Sequence, residues 1–235
     1  MDLDQLTMTL RHKAFENAIP LEVCTHIKEF FDSRSDLHFH RPNNPNVIKI
    51  NHPWKHLQTL LDPILSQYFK TNKGQGGNIY KHSNVYATHV DSGEPYQLIN
   101  ALIPIYLPEP DVKQHFVVFD QWIENGIGRT WNANHVVKHN LDYNTITSSI
   151  PYNDIAVYDK IDADIDREFY NSYLDSSDYH YEHFKGLTGT AYEFRPGNLI
   201  LFNSNNLHCT GKLTTPWKLG LHINFEGSLE ELLHE

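Results

Sequence analysis

Apolar residues first recur at helical spacing between positions 21 and 33, where Val23, Ile27, Phe30 and Phe31 fall on one face with Cys24 beside them. Side chains three and four apart share a helix face, so this stretch predicts an amphipathic helix that buries one stripe in a core. It follows a strand-like segment at 10–19. A second stripe runs through Trp54, Leu57, Leu61, Ile64, Leu65 and Tyr68 and contains Asp62-Pro63. A capping residue followed by a first-turn proline predicts that the helix kinks or restarts there. Residues 1–76 thus form a helical support region.

From about residue 77 the texture changes to short β-rich runs at 78–90, 98–107, 114–122, 190–195, 198–203 and 217–225, separated by Pro and Gly. Such punctuation predicts an antiparallel sandwich or barrel, a mainly β fold supported by helices. Its core comprises 77–122 and 190–227. The intervening 123–189 is polar and rich in Asn, Asp, Tyr and His, with one helix expected around 163–174 on Ile165, Phe169 and Tyr173. It is too long for a sheet connection and reads as an insertion or lid over one mouth of the barrel. Ser228 followed by Glu231 has the spacing of a capping box and predicts a short last helix.

Length and composition narrow the choice. A chain of 235 residues with 40% hydrophobic and 12% aromatic residues suits one packed domain spanning 1–235. A formal net charge of −10 argues against a nucleic-acid partner, whose phosphates attract Lys and Arg. Cys24 and Cys209, with no CxxC, offer neither a disulfide scaffold nor a thiolate zinc site, and the default location is the reducing cytoplasm. The opening Met-Asp-Leu-Asp-Gln lacks the basic and apolar regions of a signal peptide, and no run of about 18 apolar residues suggests a membrane span. Sixteen histidines direct the search to a metal site.

In Thr88-His89-Val90-Asp91 a His and an Asp stand two apart in a β-like run, and period-two alternation points both to one face. Two imidazoles and one carboxylate on one side of a metal leave the opposite positions open, as non-haem iron chemistry requires. With 16 histidines, one His-x-Asp is expected by chance, so its setting decides. Downstream, Pro196-Gly197 reads as a turn, Leu199, Ile200, Leu201 and Phe202 as a buried strand, and the Asn/Ser cluster 203–206 as a second turn before His208. Ten residues on, Lys218 lies in an alternating run. A cation on a strand lining a barrel is costly unless an anion meets it.

Tyr80, His89, Asp91, Pro196-Gly197, His208 and Lys218 together resemble the 2-oxoglutarate/Fe(II) oxygenase superfamily, and within it the prolyl-4-hydroxylase-like subgroup. The likeness covers about 77–107 and 190–226 well, the N-terminal helices loosely and 123–189 not at all. It implies a double-stranded β-helix, a jelly-roll barrel. It also implies that His89, Asp91 and His208 bind Fe(II), that Lys218 pairs with the C5 carboxylate of 2-oxoglutarate, and that Tyr80 hydrogen-bonds it. The implied reaction couples decarboxylation of 2-oxoglutarate to succinate, using dioxygen, with hydroxylation of a peptidyl proline, an amino acid or a small metabolite. Asn100, Trp122, Arg129 and Trp131 are the candidate substrate contacts.

Rival readings remain. His180-Tyr-Glu182-His183 could be a ligand set or a solvated loop; His38-Phe-His40 lacks the glycine and glutamate spacing of a cupin motif. Cys209 should face away from His208, and Tyr86 reads as a barrel aromatic. Arg195 reads equally well as a surface charge. A binding module on the same barrel, or a cupin-like enzyme using another metal, is the alternative; neither needs Lys218. A halogenase lacks the carboxylate supplied here by Asp91.

Overall fold

The computed structural model describes residues 11–41, 44–70, 74–84, 88–91, 98–123, 129–132, 135–139, 146–151, 157–158, 165–175, 181–184 and 186–234, with backbone alone at 41, 44, 75, 123, 129–158 and 183. In chain order the elements are β1 (His12–Phe15), α1 (Leu21–Ser33), β2 (Phe39–Arg41), β3 (Asn44–Asn51), α2 (Trp54–Leu65), β4 (Gly74–His82), β5 (Leu98–Tyr106) and β6 (His115–Ile123). There follow β7 (Arg129–Asn132), β8 (His135–His139), β9 (Ile146–Pro151), β10 (Val157–Tyr158), α3 (Arg167–Phe169), β11 (Gly189–Glu193), β12 (Leu199–Asn203), β13 (Asn206–Thr210), β14 (Lys218–Glu226) and α4 (Leu229–Leu232).

Seven antiparallel strands form the larger sheet in the order β1-β12-β5-β14-β4-β3-β2. In the smaller sheet β6 pairs with β10 and β11 on one edge and β13 on the other. Alternation along β14 shows how the layers divide. Leu219, Leu221, Ile223 and Phe225 join the core under the helices, with Ile27 and Phe31 of α1 and Leu57, Leu61 and Leu65 of α2. The opposite face of the larger sheet meets the smaller one, where Leu102, Ile200 and Phe202 pack against Phe116 and Val118. Two facing antiparallel sheets with helices on the outside make a jelly-roll, the expected fold class.

Several local expectations change. The strand-like segment at 10–19 holds β1, which closes the far edge of the larger sheet as a strand, but the support region also holds β2 and β3, which extend that sheet from β4. The helix carrying Pro63 is continuous to Leu65 and ends there, so the proline marks its last turn rather than a restart. The stretch 123–189 is not merely polar: β7, β8 and β9 form a three-stranded sheet. Its later part buries Ile165, Tyr170, Leu174, Phe184 and Leu187 against Val117, Phe119 and Leu207 on the outer face of the smaller sheet. The expected helix is a single α-turn continued as a π-turn over Tyr170–Leu174, closed by Asp175 N–H donating to the Tyr170 carbonyl at 2.8 Å. That wider turn buries Tyr170 and Leu174 instead of Phe169 and Tyr173. Ser228 and Glu231 do form a reciprocal capping box at α4.

Pro196-Gly197 turns as expected. Gly197 has φ +93°, and a Cβ there would lie 2.8 Å from the Ile19 carbonyl oxygen, so a side chain would be strained twice over.

Candidate functional site

β4 ends at His82, earlier than the run to residue 90 predicts, and His89 meets the sheet through one bridge to His208. His89 N–H donates to the His208 carbonyl at 3.0 Å, His208 N–H returns the bond at 2.9 Å, and Asp91 N–H donates to the Ser204 carbonyl at 2.9 Å. The backbone is thus held extended just long enough to keep alternation. Val90 is buried in the outer core, while His89 and Asp91 face inward together. The Asn/Ser turn does more than reverse the chain, since β12 pairs with β5 in the larger sheet and β13 with β6 in the smaller. His208 therefore reaches the cavity from the second sheet. Cys209 turns outward into the outer core, as alternation predicts.

One donor atom from each of His89, Asp91 and His208 lies within 4.8 Å of the others. His89 Nε2 is 3.2 Å from Asp91 Oδ1 and His208 Nε2 is 3.3 Å from Asp91 Oδ2. A cation at roughly 2.1 Å from each donor needs only a small inward adjustment of this spacing. His208 Nδ1 lies 2.9 Å from the Asn206 carbonyl, a bond that requires Nδ1–H and leaves Nε2 with its lone pair toward the metal position. Without a metal, burial works against charge on Asp91, but the fields of His208 and His89 in their protonated forms, and the hydrogen bonds they then donate, prevail and hold its carboxyl well below the usual carboxylate range; a metal would replace the proton on Nε2.

Asn100, a candidate substrate contact in the sequence, donates from Nδ2 to Asp91 Oδ2 at 2.7 Å and is buried. It orients the carboxylate. Asn100→Leu, close in volume, is expected to weaken metal affinity about 10–100-fold, the usual effect of losing such a partner, as read by competition with a chelator. An unchanged affinity would mean that Asp91 is positioned without it.

Lys218 is 1% exposed. Its ammonium donates to Thr210 Oγ1 at 3.2 Å and lies 4.4 Å from the centre of the Phe194 ring. Burial lowers its pKa to about 7, only partly opposed by Cys209. Tyr80 lies over Gly220, where a Cβ would stand 2.9 Å from the phenol oxygen, and burial pushes the hydroxyl pKa up with help from the Asp91 charge.

Around the triad is a cavity of about 90 Å³ lined by Lys49, Asn78, Tyr80, His82, Leu102, Phe116, Phe202, Thr210 and His222. Of these only Tyr80 was a site candidate in the sequence, and two of the others carried a signal there. Thr210 is two residues past His208 and His222 four past Lys218, so alternation on β13 and β14 was the available signal. Trp122 lies under Arg11, 4.8 Å from ring centre to guanidinium carbon, and is not among the lining residues. Arg129 and Trp131 are described by backbone alone, on β7.

The rival clusters do not assemble among the described residues. His38 Nε2 bonds the Phe31 carbonyl and its ring stacks on Phe31, while His40 is exposed. Glu182 and Arg195 are exposed, and His180 and Tyr86 lie outside the described residues. No described helix is long and apolar enough to cross a membrane.

Comparison of the sequence with protein-family models finds no match, and none of the curated proteins matches it. Solved structures do match. One is EvdO2 from Micromonospora carbonacea var. aurantiaca, at TM-score 0.50 and 10% identity over 97% of this chain and 91% of that one. Another is SnoK, described as a non-haem, alpha-ketoglutarate-dependent carbocyclase of nogalamycin biosynthesis, at TM-score 0.51 and 8% identity over 96% and 84%. A prolyl-4-hydroxylase from Pseudomonas putida aligns over 95% and 96% at TM-score 0.48 and 9% identity, too distant to distinguish a subgroup. The likenesses to EvdO2 and SnoK establish the fold.

Proposed function

We propose that this chain, which shares its fold with oxygenases that use iron and 2-oxoglutarate, is itself such an oxygenase, with Fe(II) held by His89, Asp91 and His208. The observation that carries this is the pairing of the convergent triad with a buried lysine beside the same cavity. A lone metal-binding barrel has no use for a desolvated ammonium, whereas a dicarboxylate chelating the metal at one end supplies an anion at the other. Lys218 and Thr210 take the C5 carboxylate of 2-oxoglutarate and Tyr80 donates its hydroxyl to it. Bound iron supplies the dioxygen chemistry, and the protein positions the reactants and excludes water.

The finer reading is a hydroxylase of the prolyl-4-hydroxylase-like kind, with a lysine rather than an arginine as anchor and dioxygen as the oxidant, reduced by two electrons from 2-oxoglutarate and two from the substrate. We read 123–189 as an insertion on the barrel core formed by 77–122 and 190–227, and the cytoplasm as the location. The alternative, a binding module or a cupin-like enzyme, predicts a metal site indifferent to 2-oxoglutarate. Anaerobic addition of Fe(II) and 2-oxoglutarate is expected to give a weak visible charge-transfer band, and admitting oxygen to release succinate. A protein showing neither is not this kind of oxygenase.

A further inference from the structure

Building on the oxygenase reading, we propose that Lys49, Asn78 and His222 form the subsite for the oxidised substrate, and that it takes a molecule bearing a carboxylate or other anionic group. The three side chains lie on neighbouring strands of the larger sheet and all line the cavity. His222 is directly opposite Asn78 in the β14–β4 register, and Lys49 is opposite Tyr80 in the β4–β3 register. They make a polar wall running outward from the triad across two strand spacings, roughly 10 Å.

This wall is separate from the Lys218 anchor. Lys218 and His222 are four residues apart on one strand, about 13 Å along it, and Tyr80 fills the space over Gly220 between them. His222 stands on the metal side of that divide: its Nε2 is 3.9 Å from Asp91 Oδ2, buried and without a hydrogen bond. A polar group enclosed this way is costly unless a ligand completes it. Asn78 adds an amide beside it. Lys49 brings the positive charge, and its half-buried position limits screening by water, so an anion there gains more than at an open surface. Beyond His222 the lining is apolar, with Leu102 beside it and Phe202 on the same sheet and Phe116 on the facing one, which suits the carbon skeleton of such a substrate.

The test uses full-length protein loaded with Ni(II) and 2-oxoglutarate, which holds the site without turnover, titrated by NMR with unbranched C4–C8 carboxylates and with the matching primary amides. The carboxylates are expected to bind at least tenfold more tightly than the amides. Lys49→Met should remove that preference, and His222→Phe should weaken both series. Titrations of Ni(II) and 2-oxoglutarate on the Lys49 and His222 variants report that the site remains folded; Lys218→Met, loaded with Ni(II) alone and checked by Ni(II) titration, separates carboxylates occupying the co-substrate anchor. Equal binding of acid and amide, or a preference that follows Lys218 and survives Lys49→Met, overturns the subsite while the oxygenase reading stands. Failure of wild type to bind Ni(II) with 2-oxoglutarate, with the preference still following Lys49, overturns the oxygenase reading and keeps the anion site.

Discussion

Replacing Lys218 with methionine is expected to stabilise the metal-free protein while abolishing its affinity for 2-oxoglutarate. The folded pKa of about 7 lies below the ordinary lysine value of 10.5, so folding favours the neutral amine. Between these values the unfolded chain binds a proton that the folded one does not, and stability rises with pH; below about 7 both forms are charged and the penalty is complete. At 1.36 kcal/mol per unit, that penalty is on the order of 5 kcal/mol. Methionine keeps much of the alkyl length, so a gain of about 1–4 kcal/mol is expected at pH 6. The gain should shrink as pH approaches 10.5. A thermal melt series from pH 6 to 10 on both proteins measures it.

If Lys218 anchors 2-oxoglutarate as proposed, binding should be proton-linked. An arriving carboxylate restores the charge that burial suppresses, so at pH 8–9 the wild type should take up a proton as 2-oxoglutarate binds. Calorimetry in two buffers of different ionisation enthalpy reads this directly. Binding with no proton uptake, or a methionine variant that retains 2-oxoglutarate affinity, places the anchor elsewhere. A stabilised variant that still binds iron is the informative result, because it separates a group kept for function from one kept for folding.

The residues differ in how far the sequence revealed them. The strands at 98–106, 115–123, 199–203 and 218–226 were legible because their apolar runs are bounded by Pro, Gly and Asn, and each proved a member of a sheet. β3 was not, since Asn44-Pro45-Asn46 at its start looks like a turn and its partner β4 is what makes it a strand. His89 and Asp91 were legible as a spacing, yet what holds them extended is a bridge to His208 more than a hundred residues away. Asn100 was marked by polarity on a strand, and only the fold shows that it touches Asp91. Thr210 and His222 carry no pattern stronger than a shared face. The π-turn at Tyr170–Leu174 defeated helical periodicity outright, because burial there follows a wider spacing.

Asp91→Ala is expected to cost metal affinity at least 100-fold, more than Asn100→Leu, which removes only a partner of the same carboxylate. Asp91 is the one acidic donor of the triad, and both imidazoles and the Asn100 amide converge on it. Without it, His89 and His208 remain as two neutral ligands whose rings are already 4.3 Å apart, with no negative charge to offset the dication. The difference is readable without turnover. Metal at 100 times the wild-type Kd should stabilise wild type by about 2.7 kcal/mol, and the variant, at a Kd 100-fold weaker, by about 0.4 kcal/mol. Because that carboxylate is 31% exposed, its removal opens no sealed core cavity, and the metal-free variant should melt cooperatively. A variant that folds and keeps its metal-induced shift would show that the ion is held by other ligands, and both the triad and the co-substrate geometry built on it would have to be abandoned.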